Sequence, residues 1–172
     1  SDETEFNIFF APKAPARPTT EFILGTSGIS PVVPTLIIPP NEVKTFVTRF
    51  KVDSDISLLT VNPHMHLLGK KFVAYGITPG NDTLHLIRIN NWDFRWQYFY
   101  TFEKMVKIPA GTEIVVEGTF DNTVNNPLNP FNPPRTVSER EGSMRTTDEM
   151  FQLICTFLPY QSGDENISLK AK

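Results

Sequence analysis

A single cysteine, Cys155, stands among 172 residues, so no disulfide can form within the chain and cysteine usage does not fix its redox compartment. No apolar run approaches the ~18–20 residues of a membrane-spanning helix. Neither sign of charge dominates: 16 Lys and Arg face 19 Asp and Glu, for a net charge of −3, with no basic stripe and no acidic block. That balance argues against nucleic acid and anionic membranes as partners. Repeats and low-complexity tracts are absent, and no segment carries an apolar stripe of 3.6-residue period, which argues against a helical bundle. The opening SDETEFNIFF has no basic n-region and no initiator methionine. It reads as the start of a mature fragment, one from which a signal peptide could already be gone.

Proline and phenylalanine are plentiful instead, at 15 and 14 residues against only 9 glycines. Prolines between short aromatic runs suit an all-β domain with wandering loops. In VKTFVTRFKV, Phe46, Thr48, Phe50 and Val52 alternate with Val47, Arg49 and Lys51, the pattern of a half-buried strand. DISLLTV, KKFVAYGI, DTLHLIRI and FRWQYFYTF follow as strands across short polar gaps. In KIPAGTEIVVEGTFDN a Pro-Ala-Gly turn leads to a strand with Ile114, Val116 and Phe120 on one side, and EMFQLICTFLPY is the last strand. The expected fold is an antiparallel β-sandwich with jelly-roll character. Residues 1–30, with the proline-stiffened APKAPARPTT and a strand candidate in FNIFF, form an extension or linker strand packed on a domain of residues 31–172. The segment DNTVNNPLNPFNPPRTVSEREGSMRTTD is a 28-residue loop whose Asn-Pro repetition favours rigid turns.

The chain has three histidines, and two of them fall in VNPHMHLLGKKF. Residues two apart on a strand point to the same side, so His64 and His66 can offer imidazoles to one ion. His-x-His is a weak signal, equally met by two exposed or core-satisfied histidines. Pro63 adds that this strand should lie at an edge, where a site stays open. Carboxylates, Cys155, His85 and the four methionines are the candidates for a third ligand. Met65 points to the opposite face from the pair. Met105 reads as core, Met144 sits in the long loop, and Met150 opens the last strand, where pattern alone also favours core. Two imidazoles with a thioether would suit copper, particularly Cu(I), over Zn or Mg. WDFRWQYFY sets Trp92, Phe94, Trp96, Tyr98 and Tyr100 on one strand face, as a core or domain-interface strip or as a stacking platform for a sugar or aromatic ligand. Cys155 reads as a buried small hydrophobe.

The motifs MHLLGK, DFRWQ, PAGT, FDNTVNNPLNP and DEM, in that order, resemble the C-terminal, catalytic-copper domain of the copper type II, ascorbate-dependent monooxygenases, and bacterial relatives in particular. The resemblance spans roughly residues 36–160. It implies a jelly-roll-like sandwich with His64, His66 and Met150 as copper ligands and catalytic residues, and an open position for O2. It implies a copper monooxygenase that hydroxylates a C–H bond of a small-molecule or peptide substrate, with ascorbate or another reductant supplying electrons. A periplasmic or extracellular setting follows from the resemblance as well. Asp121 and Asn122 are the candidates for orienting the histidine rings.

The departures are specific. Where the peptidylglycine enzymes place a substrate-holding arginine, Asn62 stands here; Gln152 and Ile154 replace their asparagine and tyrosine, and Phe151 replaces a cysteine. With only His85 outside the pair, the chain cannot build the family's second, three-histidine copper site. The expectation is therefore one domain of a longer protein, beside an upstream copper or electron-donor domain. The alternative is a non-catalytic sandwich that binds copper or another ligand.

Overall fold

The computed structural model describes residues 3–140 and 145–170. Among the described residues eleven strands run β1 Thr20–Gly25, β2 Val32–Val33, β3 Ile37–Ile38, β4 Val43–Lys51, β5 Ile56–Met65, β6 Gly69–Ile77, β7 Thr83–Ile89, β8 Tyr100–Ile108, β9 Glu113–Asp121, β10 Val137–Ser138 and β11 Phe151–Pro159. The only helical element among the described residues is one 3-10 turn, Asp164–Asn166. All pairings are antiparallel. Four strands form one sheet in the order β1-β11-β5-β8, five form a second in the order β2-β4-β9-β6-β7, and β3 pairs with β10. The fold is the expected all-β sandwich.

Alternation along the strands puts the core between the sheets. Phe46, Thr48 and Val52 of the β4 region are buried while Arg49 and Lys51 are exposed; on β9, Ile114, Val116 and Phe120 are buried together. Phe151 on β11 crosses to the other sheet, its ring 5.7 Å from Phe72 and 6.0 Å from Phe120. It fits because Gly118 lies beneath it: a Cβ there would fall 2.6 Å from the ring. Phe22 on β1 meets Phe50 on β4 at 5.4 Å, and Leu24 on β1 is fully buried. Cys155 is a free, buried thiol that packs as a small hydrophobe, and burial pushes its pKa up.

Two strand expectations are corrected. FNIFF forms no strand; Phe6, Ile8, Phe9 and Phe10 are exposed. The run from Trp92 to Tyr100 is not one strand either, since β8 begins only at Tyr100. Asp93 breaks it: its Oδ1 accepts from the Arg95 backbone N–H at 3.0 Å, its carboxylate pairs with the Arg95 guanidinium at 2.8 Å, and its carbonyl accepts from Trp96 N–H. The carboxyl of Asp93, held by Arg95, is lowered to about 2. The turn sends Trp92 into the core, while Trp96 and Tyr98 face outward.

Farther on, Arg17 reaches the 3-10 turn. Its guanidinium donates to both Asp164 oxygens, at 2.7 and 2.8 Å, and Ser57 Oγ donates to the same buried carboxylate. Two cationic and hydroxyl partners of this kind keep the Asp164 carboxyl well below the usual range, the Arg17 bond contributing most.

Candidate metal centre

Pro63 does not mark an edge of the whole sheet, because β5 lies between β11 and β8. The β5–β8 ladder, however, ends at Val61↔Tyr100, whereas the β5–β11 ladder runs on to Met65↔Phe151. Beyond Val61, one side of β5 is free of strand partners, and proline's missing N–H costs nothing there. Phe94, in the loop of residues 90–99, meets His66 just past the end of β5. His64 therefore sits at a local edge inside a four-stranded sheet.

Strand parity sorts the side chains. Val61 and Met65 are fully buried in the core. His64, half-buried, shares the outer face with Asn62, and Gln152 lies directly across from His64 on β11. The register ends at Met65↔Phe151, both fully buried and turned inward, and His66 and Met150 are each the next residue beyond it. The two imidazoles stand edge to face with centroids 5.0 Å apart. Met65, nearest in sequence, is thus on the wrong face. His85 is exposed on the edge strand β7 of the other sheet, Met105 is half-buried on β8, and Met144 lies outside the described residues. No group of three or more His, Cys, Asp or Glu that could hold a metal ion converges among the described residues.

The geometry of His66 is fixed by the segment that carries Met150. His66 Nδ1 lies 2.9 Å from the Asp148 carbonyl, which can only accept, so Nδ1 carries the proton and Nε2 keeps its lone pair. The buried Glu149 carboxylate accepts from the backbone N–H of His66 at 2.9 Å and of Leu68 at 2.7 Å. Burial pushes Glu149 up to about 8, and the N–H groups of Leu68, His66 and Met150 counter it in part. One side chain thereby joins the turn after His66 to the entry of β11. His64 has a lowered pKa, mainly from burial and then from neighbouring His66, with Gln97 partly offsetting it. Lowering favours the neutral imidazole, the form with a lone pair to donate.

The remaining motifs surround this pair. Phe94 meets the His66 ring edge to face at 5.7 Å. The turn of residues 66–70 is held from its far side by the asparagine-rich loop. Asp121 N–H donates to Leu68 O, Asn126 Nδ2 donates to Asp121 O at 2.8 Å, and Lys70 Nζ donates to Asn126 Oδ1 at 3.0 Å. Asp121 and Asn122 do not orient the rings; Asp148 does so for His66. Asn122, fully buried, donates to the carbonyls of Ile38, Pro39 and Arg135 and accepts from Asn129. It is a loop anchor. Glu149 and Asp148 are the residues to which the sequence alone gave no role. The DEM motif holds them, but only the β5–β11 register brings them to His66.

The histidines, their supporting loops and the sandwich topology can be set beside known families. A profile of the copper type II ascorbate-dependent monooxygenases, C-terminal domain, matches residues 28–129. That span covers β2 through β9, both histidines, the 93–97 turn and Asn126, and ends before Met150. No curated protein matches the chain. With more than half of its length matched, the chain belongs to the family of copper type II ascorbate-dependent monooxygenases, as a C-terminal domain.

Proposed function

We propose that this chain is the catalytic-copper domain of a monooxygenase, in which His64, His66 and Met150 hold copper and O2 is used to hydroxylate a substrate C–H bond. The observation that supports the reading is the register: Phe151 pairs with Met65, and the alternation continued by one residue would set the thioether of Met150 on the face of the imidazoles. The donor set also fits the metal. Two neutral imidazoles accept either oxidation state and a thioether favours Cu(I). A copper ion held there would supply one-electron chemistry and an open position for O2.

The chain's own residues do the positioning. Asp148 and Glu149 tie the His66 backbone and ring to the Met150 segment, so the donors from β5 and β11 move as one unit. Asn62 and Gln152 beside His64 are neutral amides, both nearly buried, with Gln152 Nε2 bonded to Thr26 O. Such a floor suits an uncharged part of a small-molecule or peptide substrate and gives no grip on a terminal carboxylate. Since His85 is remote, electrons come from a separate copper or electron-donor domain, or directly from ascorbate or a similar reductant. A periplasmic or extracellular setting, with this chain as one domain of a longer protein, accords with the family.

A second reading has one observation in its favour. Trp96 and Tyr98 are 60% and 54% exposed and their rings lie 5.5 Å apart, a platform suited to a ring-shaped ligand in a non-catalytic module. Anaerobic Cu(I) titration with X-ray absorption separates the readings. The parent should bind about one Cu(I) with sulfur in its shell, and Met150→Leu should lose the sulfur signal and weaken binding. Unchanged affinity and sulfur scattering in Met150→Leu would remove Met150 from the site. Parent-like copper binding by both His64→Ala and His66→Ala would end the copper reading.

A further inference from the structure

We propose that the cleft between the end of β7 and the start of β8 binds a neutral saccharide, one sugar ring lying on Trp96 with its hydroxyls turned to Asn91 and Asp93. The inference goes beyond the platform of Trp96 and Tyr98 noted above, because it gives the site and the ligand. It holds with or without copper at the histidines.

The cleft has a volume of about 320 Å³ and is lined by Ile89, Asn91, Trp92, Asp93, Trp96 and Tyr100. That size lies at the lower end of small-molecule sites, which run roughly 300–1,000 Å³. Ile89 ends β7, an edge strand of the five-stranded sheet, and Tyr100 opens β8, an edge strand of the four-stranded one. The cleft therefore forms where the chain crosses from one sheet to the other. Hydrogen bonds hold its walls. Trp92 N–H donates to Lys70 O and Trp96 N–H to Asp93 O, each at 2.9 Å, and Tyr100 OH donates to Trp96 O at 3.2 Å. A lining held in this way exists before the ligand arrives, so binding need not order it.

The chemistry of the lining selects the ligand. Asp93 is its one charged residue, and the Arg95 guanidinium neutralises that carboxylate at 2.8 Å, so the cleft has little hold on an ion. Trp96 and Tyr98 lean on each other at 51° with centroids 5.5 Å apart. A flat aromatic ligand gripped from both sides needs two parallel faces with a ring's thickness between them, and two touching, tilted rings leave no such slot. What remains is one open aromatic face beside polar groups. Trp96 is exposed, and next to it in the cleft stand Asp93 and the Asn91 amide, which is exposed and makes no hydrogen bond among the described residues. A pyranose has the complementary build: a C–H face that packs on an aromatic ring, and a rim of hydroxyls that donate and accept. Phe94, between Asp93 and Trp96 in the chain, meets the His66 ring, so one short loop joins the cleft to the histidines.

The chain has 2 tryptophans, Trp92 and Trp96, and both line the cleft, so their indole N–H signals report on it directly. The metal-free protein is titrated with neutral trisaccharides of glucose, mannose, galactose, xylose and N-acetylglucosamine, in α and β linkage, and with phenol and benzoate as flat aromatic probes. At least one trisaccharide should shift the Trp96 signal saturably at millimolar concentration, and neither aromatic should. By saturation transfer to the sugar, Trp96→Ala should bind about tenfold more weakly and Asn91→Ala about fivefold. Phe99→Ala removes a comparably exposed aromatic outside the cleft and should bind like the parent. The inference is overturned if no trisaccharide binds, or if phenol or benzoate shifts Trp96 and no sugar does. Parent-like affinity in Trp96→Ala or Asn91→Ala overturns it too, as does a loss in Phe99→Ala equal to that in Trp96→Ala. The parent titration and Asn91→Ala decide the matter even if Trp96→Ala does not fold. Every arm is metal-free, so failure here leaves the copper assignment standing, and failure of that assignment leaves this result standing.

Discussion

Replacing Gly118 by alanine drives a wedge under the residue next to Met150. The new Cβ would sit 2.6 Å from Phe151 Cε2, 2.8 Å from Cδ2 and 3.1 Å from Cζ, where ordinary contact begins at 3.4 Å. The ring must retreat by about 0.8 Å, the difference between 3.4 and 2.6 Å. It has nowhere to go: Phe151 is fully buried, with Phe72 and Phe120 packed edge-on at 5.7 and 6.0 Å. Overpacking of this kind costs about 1–3 kcal/mol. Removing a glycine from a strand returns roughly 0.5–1 kcal/mol. The net of about 1–2 kcal/mol corresponds to a fall of about 2–8 °C in Tm for a chain of this size. Thermal unfolding followed by near-ultraviolet circular dichroism gives the number. Adding Phe151→Leu shortens the ring's reach, so the double variant should lose less than the two single losses together, by about 1 kcal/mol. A Gly118→Ala protein as stable as the parent, or strict additivity in the double variant, would show that Phe151 is not wedged between the sheets.

Two further outcomes follow from the loops. Asn122→Ala leaves the carbonyls of Ile38, Pro39 and Arg135 without their shared donor, at a cost of about 2–4 kcal/mol. Proteolysis and hydrogen exchange should rise across residues 123–140, and unchanged protection there would refute the anchor. Asp164 has a depressed carboxyl in the folded chain, chiefly through Arg17. Its contribution to stability is therefore present above the unfolded carboxyl's pKa, roughly 3.9, and is lost as pH falls from there through the folded value. Urea melts of the parent should weaken over that acid range. Asp164→Asn should be less stable at neutral pH and lack that part of the slope; parallel acid profiles would refute the linkage.

Much of the fold could be read from the sequence because strand periodicity is local. Phe46, Thr48 and Val52 lie inward as their alternation requires, and Met65 and His64 part company by the same period of two. That parity is also why Met65 could be set aside as a partner for the histidines without any structure. The chain's composition and ordered motifs likewise sufficed for the family. Tertiary structure decided what depends on pairing between distant segments. Sequence alone reads WDFRWQYFY as one alternating strand, but the Asp93 carboxylate captures Arg95 and turns the chain, which periodicity cannot register. Pro63 rightly points to an unpaired backbone edge; that the edge is a short stretch of an interior strand depends on where β8 stops. The roles of Asp148 and Glu149 are of this kind as well. Each acts through a hydrogen bond across a large sequence separation, and such bonds follow from the β5–β11 register. His64 and His66 were visible from their spacing; the groups that hold them in place were not, because nothing in a linear sequence says which segment will lie beside a strand's free edge.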